Sequence, residues 1–133
     1  MTTVRWNEGW RLGVAKMDRQ HERIVGLLAG LESACAGGSG EALEEAAAEA
    51  LDYIDYHFTM EQRLMEEWDY PELGEHVDEH DDYMVQAADD LAMLQDGAEP
   101  AGAVLGRLAD WWAGHLAGPD RRLAEFLREH GVK

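Results

Sequence analysis

Hydrophobic residues recur every three or four positions along most of the chain, which is typical of helices with one buried face. Turn-forming runs interrupt this pattern at residues 36–40 (AGGSG), 69–73 (DYPEL) and 95–100 (QDGAEP). The pattern therefore predicts four long helices, at 18–36, 41–68, 71–96 and 100–117, and a short fifth helix at 120–130. No segment has the alternation that predicts a strand.

Short connections between helices favour antiparallel neighbours. We therefore predict an all-α fold, an up-down-up-down antiparallel four-helix bundle with a short C-terminal helix. The first seventeen residues, with Trp6 and Trp10, form an N-terminal arm in this prediction. Pro71 and Pro100 suit first helical turns, and Pro119 predicts a break at the end of the fourth helix. The 133 residues are expected to form a single domain, 1–133.

Polar residues interrupt the predicted inward faces of all four long helices. The inward face of the first helix, for example, is Met17, His21, Ile24, Leu28 and Leu31. Across the four helices, the polar positions in these faces are His21, His57, Glu61, His76, His80 and His115. A single buried histidine is usually a hydrogen-bonded core residue, but five histidines converging on one core need a common partner.

A metal ion would satisfy this whole group of side chains. His57 with Glu61, and His76 with His80, are i,i+4 pairs whose side chains leave one face of a helix together. A site rich in imidazole with more than four ligands suits iron or manganese better than zinc. Ferritin-like sites use Glu-x-x-His pairs, and none of the six histidines has a glutamate three residues before it.

Asp120 is a further candidate ligand, although its spacing from His115 is unusual. Five residues of regular α-helix would place the two side chains about 140° apart. Gly118 and Pro119 lie between them, so a local break or bulge could turn Asp120 back toward the core. The alternative is that Asp120 caps the last helix, and both roles are compatible.

The composition narrows the choice of partners. The sequence has 28 Asp and Glu against 11 Lys and Arg, a net charge of −17. Such a surface repels phosphates and anionic headgroups, so we expect neither nucleic acid nor a membrane as a partner. We expect a cytoplasmic monomer. The sequence has a single cysteine, it has no apolar run of about 18 residues, and its start does not resemble a leader.

The chain resembles the hemerythrins, and in particular their single-domain bacterial forms. The resemblance rests on Trp6, LGV at 12–14, MDRQH at 17–21, HFTMEQRLM at 57–65, YPELGEHVDEH at 70–80 and HLAGPD at 115–120. It implies two non-haem iron ions with an oxo or hydroxo bridge, and dioxygen as their ligand. It also implies that His76, His80 and His115 hold one iron, His21 and His57 the other, and Glu61 and Asp120 bridge them.

The function implied by this resemblance is reversible dioxygen binding, for transport, storage or local oxygen sensing, rather than catalysis. The alternatives are a di-iron enzyme acting on peroxide or nitric oxide, and an oxygen-sensing signalling module with an unknown partner protein. Gln62, Pro119 and Leu123 depart from residues common in the family. Trp111 or Trp112 is expected to shield the metal site from water, and His130 is expected to lie outside it.

Overall fold

The computed structural model describes residues 4–37, 40–97 and 100–133. The long helices are α1 (Ala15–Gly37), α2 (Gly40–Glu67), α3 (Leu73–Asp96) and α4 (Ala101–His115), and α5 (Arg121–Glu129) follows. Packing of α1 on α2 and α4, and of α3 on α2 and α4, closes an antiparallel four-helix bundle. The described residues contain no strand, so the predicted fold is confirmed; residues 38–39 and 98–99 of the predicted turns lie outside the described residues.

The N-terminal arm is shorter than predicted, because α1 begins at Ala15 rather than at residue 18. A single 3-10 turn, Glu8–Trp10, lies within the arm. The buried carboxylate of Asp18 accepts hydrogen bonds from the backbone N–H of Leu12 at 2.8 Å and of Gly13 at 3.1 Å. Gly13 has a φ of +88°, a conformation that glycine adopts without strain. These bonds attach the arm to the first turn of α1.

Two of the three prolines lie just outside the helices rather than in their first turns. Pro71 falls in the turn before α3, which begins at Leu73, and Pro100 is the N-cap of α4 with extended backbone. Pro119 was predicted to break the fourth helix, and here the structure differs. The helix continues through a turn of π-helix, Leu116–Asp120, directly into α5.

Two hydrophobic clusters form the interior, one on either side of a polar layer. The larger cluster includes Ile24, Leu31, Ile54 and Leu108 and fills the bundle beyond this layer. The smaller one joins the end of the arm, the start of α1, the end of α2 and α5, with Leu12, Val14, Met17, Met65, Tyr70, Leu123, Ala124 and Leu127. Val4, at the other end of the arm, belongs to the larger cluster. Within the described residues, no helix has the length and apolar character needed to cross a membrane.

Candidate metal centre

The structure brings all seven predicted ligand residues together in the polar layer of the bundle. Each helix of the bundle contributes at least one of them, and all are between 0 and 3% exposed. The residues are His21 on α1, His57 and Glu61 on α2, His76 and His80 on α3, His115 at the end of α4, and Asp120 at the end of the π turn.

The donor atoms fall into two groups, within each of which they lie no more than 4.8 Å apart. One group contains Glu61, His76, His80, His115 and Asp120. The other contains His21 and His57 with the same two carboxylates, Glu61 and Asp120. The arrangement thus has two centres, one with three imidazoles and one with two, that share both carboxylates.

The carboxylate oxygens contact imidazoles of both groups. Glu61 Oε1 lies 2.6 Å from His76 Nε2, and Glu61 Oε2 lies 2.9 Å from His57 Nε2. Asp120 Oδ2 is 3.1 Å from His21 Nε2, and Asp120 Oδ1 is 3.1 Å from the Nε2 atoms of His76 and His115. Each carboxylate therefore lies between the two centres, in the position that a bridging ligand requires.

The π turn is what brings Asp120 onto the same side as His115. In a π-helix the backbone bond spans five residues instead of four, so side chains five apart face one direction. The wider turn also suits Pro119, which lacks an N–H and would clash with the preceding turn of an α-helix. The predicted distortion is thus confirmed. The alternative role, in which the Asp120 side chain caps the last helix, is not seen: Asp120 stands at the N-cap position of α5, but its side chain makes no capping hydrogen bond in the described residues.

Several of these buried atoms have no hydrogen-bond partner in the described part of the chain. They are His21 Nδ1 and Nε2, His57 Nε2, Glu61 Oε2, His115 Nδ1 and both carboxylate oxygens of Asp120; outside the cluster the set includes only Glu32 Oε2. A buried polar atom without a partner is costly, and imidazole with carboxylate is a donor set that iron accepts. The residues present therefore fit a pair of metal ions.

Charged and titratable groups lie close together in the cluster and shift one another's pKa. Burial opposes protonation of His21 and His76, but Asp120 and Glu61 outweigh it and raise the pKa of His21 to about 9 and that of His76 to about 10. Burial likewise disfavours the charged form of Glu61, but His57 and His21 hold its pKa well below the usual value. Burial lowers the pKa of His80. The Glu61 carboxylate is thus held in its anionic form, the form in which a carboxylate binds a metal ion.

Residues around the cluster fix the orientation of its imidazoles. His57 Nδ1 lies 2.6 Å from Gln20 Oε1, and since the amide oxygen only accepts, Nδ1 donates and Nε2 keeps its lone pair. Phe58 stacks on His80 with ring centroids 3.7 Å apart, and Trp111 stacks on His115 at 4.3 Å. Neither Gln20 nor Phe58 was predicted from the sequence to contact a ligand, although each directly adjoins a predicted ligand.

Trp112 covers the centre that has two imidazoles. Its ring lies 6.1 Å from that of His21 and 6.0 Å from that of His57, and only 1% of the residue is exposed. The indole N–H donates a hydrogen bond to the Tyr83 hydroxyl at 2.9 Å. One tryptophan therefore does cover the site, as expected, and its polar atom is satisfied.

Two residues lie away from the cluster, as the sequence predicts. His130, the sixth histidine, is exposed beyond the end of α5, where its Nδ1 lies 2.8 Å from the Phe126 carbonyl oxygen. Gln62 is exposed on α2, so its departure from the family pattern leaves the interior unchanged.

The bundle and its buried imidazole–carboxylate cluster define a helical metal-binding protein. The family model described as Hemerythrin HHE cation binding domain matches residues 12–127. The chain belongs to the hemerythrin family. The match includes all seven clustered residues.

Similar proteins span nearly the whole chain. It is 28% identical over 130 residues to the bacteriohemerythrin of Stenotrophomonas maltophilia, covering 98% of this chain and 85% of that protein. It is 27% identical to a bacteriohemerythrin of Pseudomonas aeruginosa, covering 96% and 84%. A solved structure of a hemerythrin mutant superimposes with a TM-score of 0.84 at 24% identity, over 96% of this chain and 98% of its own, which supports the fold.

Proposed function

We propose that this protein binds dioxygen reversibly at a non-haem di-iron centre. The observation that carries the proposal is the pair of buried groups of donor atoms that share Glu61 and Asp120. Because the two centres share both carboxylates, they favour a pair of similar ions. Because they have unequal numbers of imidazoles, the two ions would have unequal numbers of coordination positions left for other ligands. Relatives named bacteriohemerythrin cover almost the whole chain and support the same function.

In this proposal, the three-histidine centre is held by His76, His80 and His115. The two-histidine centre is held by His21 and His57, and Glu61 and Asp120 bridge the two irons. The iron pair would supply the electrons for binding dioxygen. The smaller number of protein ligands at the two-histidine centre leaves more room there for an external ligand.

The remaining contribution of the chain is to orient the ligands and exclude water. Gln20 accepts a hydrogen bond from His57 Nδ1 and so presents Nε2 to the centre. Phe58, Trp111 and Trp112 surround the imidazoles with aromatic surface. An apolar cover of this kind disfavours the entry of protons and water, which promote irreversible oxidation.

The burial of the cluster favours a small ligand over an organic substrate. All seven proposed ligand residues are between 0 and 3% exposed, and Trp112 packs beside His21 and His57. A diatomic gas can reach such a site through small fluctuations of the packing, whereas an organic molecule would need the helices to separate.

The test is optical. Reduced, iron-loaded protein should develop a charge-transfer absorption in the visible range on exposure to air, and this band should fade when oxygen is removed and return when air is readmitted. Iron analysis should give about two ions per chain. Absorption that does not fade when oxygen is removed, or no iron uptake, would contradict reversible binding.

The same samples test the enzymatic alternatives. Rapid conversion to the ferric form with sustained consumption of peroxide or nitric oxide would favour an enzyme instead of a carrier. We also propose that residues 1–133 form one domain that acts in the cytoplasm. The monomeric state remains a prediction, for which light scattering of the iron-loaded protein is the measurement.

A further inference from the structure

A groove of about 580 Å³ lies between α1 and α2 on the outside of the bundle. It is lined by Lys16, Arg19 and Gln20 of α1 and by Tyr53 and Tyr56 of α2. Its volume is within the range of small-molecule sites. Apart from Gln20, whose amide oxygen contacts His57, the proposed dioxygen function uses none of these residues.

The charge of the groove is opposite to that of the protein. The chain has 28 acidic residues against 11 basic ones, yet the lining contains two cationic side chains and no carboxylate. Within the described part of the chain, neither Lys16 nor Arg19 makes an ion pair or a side-chain hydrogen bond. Arg23, one turn further along α1, is neutralised by Glu49 at 3.0 Å. The two free cations thus provide a local site for an anion.

The other wall of the groove is aromatic. The ring centroids of Tyr53 and Tyr56 lie 5.6 Å apart, with 45° between the ring planes. Tyr56 is 51% exposed, and among the described residues Val85 is the only other large hydrophobic residue that is exposed. The two tyrosines also line an adjoining cavity of about 350 Å³, whose acidic members are Glu49 and Asp52. An aromatic ring resting on the tyrosines would therefore have cations at one end and Asp52 at the other.

We propose that this groove binds a small anionic aromatic molecule, with its anionic group held by Lys16 and Arg19 and its ring packed against Tyr53 and Tyr56. Gln20 forms part of the lining and accepts the hydrogen bond from His57. Only the Gln20 side chain would thus lie between the bound molecule and His57 of the candidate metal centre. Its binding does not depend on the proposed dioxygen function.

The test is a titration of flavin mononucleotide, a planar ring with a phosphate, by the iron-loaded protein. Its fluorescence anisotropy should rise to saturation, and added salt should weaken the binding because the phosphate contacts are solvent-exposed. Riboflavin has the same ring without the phosphate, so its affinity should be lower by about tenfold or more. Equal affinities for the two compounds, or no saturable binding, would overturn the proposal.

Variants locate the site. Lys16→Gln with Arg19→Gln should weaken flavin mononucleotide binding by about tenfold or more, and Tyr56→Ala should weaken both flavins. The matched control is Arg5→Gln with Lys133→Gln, which removes the same charges from exposed residues that do not line the groove. An equal loss in the control would mean that net charge alone drives binding. Either that result or wild-type affinity in the groove variants would refute the site, whatever the outcome of the dioxygen test.

Discussion

At the scale of single residues, the cluster allows a sharp test of the ligand assignment, because the sixth histidine provides its own control. His57→Ala removes an imidazole from the two-histidine group and should reduce the iron content from about two ions per chain to about one. His130→Ala removes an exposed imidazole outside the cluster and should leave the iron content unchanged. The measurement is metal analysis of both variants after identical loading. Full iron content in the His57 variant would contradict the assignment.

The sequence was sufficient to predict which residues converge, but not how they are held. The histidines and Glu61 interrupt apolar faces at helical spacing, so burial alone predicts that they meet. Gln20 was invisible to this reasoning, because a glutamine beside a buried face looks like any solvated residue. Its role depends on the position of α1 relative to α2, which determines that its amide oxygen lies 2.6 Å from His57.

At the scale of secondary-structure elements, the π turn explains why His115 and Asp120 are compatible at a spacing of five. Deletion of Ala117 combined with Pro119→Ala leaves His115 and Asp120 four positions apart. A regular α-helix places two residues at that spacing on one face. This variant should keep its iron. Inserting an alanine after Ala117 gives a spacing of six, about 120° off that face in an α-helix, and should lower the iron content. Iron analysis of the pair is the measurement, and iron loss in the deletion variant alone would refute this account.

The helix boundaries show where sequence reasoning fails at this scale. Periodicity places the centre of a helix well, whereas its ends depend on single contacts. The start of α1 at Ala15 depends on the carboxylate of Asp18 binding the backbone of Leu12 and Gly13, which the apolar pattern does not record. The backbone conformation at Pro119 could not be predicted either, because proline is compatible with both a break and a bulge. In the structure the bulge is the one that buries Asp120.

At the scale of the whole molecule, the polar layer separates two apolar clusters of unequal size. In the part of the chain that the structure describes, nineteen buried residues form the larger cluster and eight form the smaller one. Removing iron with a chelator should lower the melting temperature by about 10 °C, as expected when a ligand specific to the native state is lost. Hydrogen exchange should accelerate more in α5, which packs in the smaller cluster, than in residues 104–112 of α4, which pack in the larger one. Uniform acceleration throughout the helices would show instead that the clusters unfold as one unit.

The excess of acidic groups on the outer helix faces has a consequence for the amount of protein that a cell can hold. A gas store with one binding site per chain is useful only when many chains are present. Molecules that each carry a charge of −17 repel one another and resist precipitation in a crowded solution. Every such chain also retains a cloud of small counterions, so a large reserve of the protein would add to the osmotic load of its compartment.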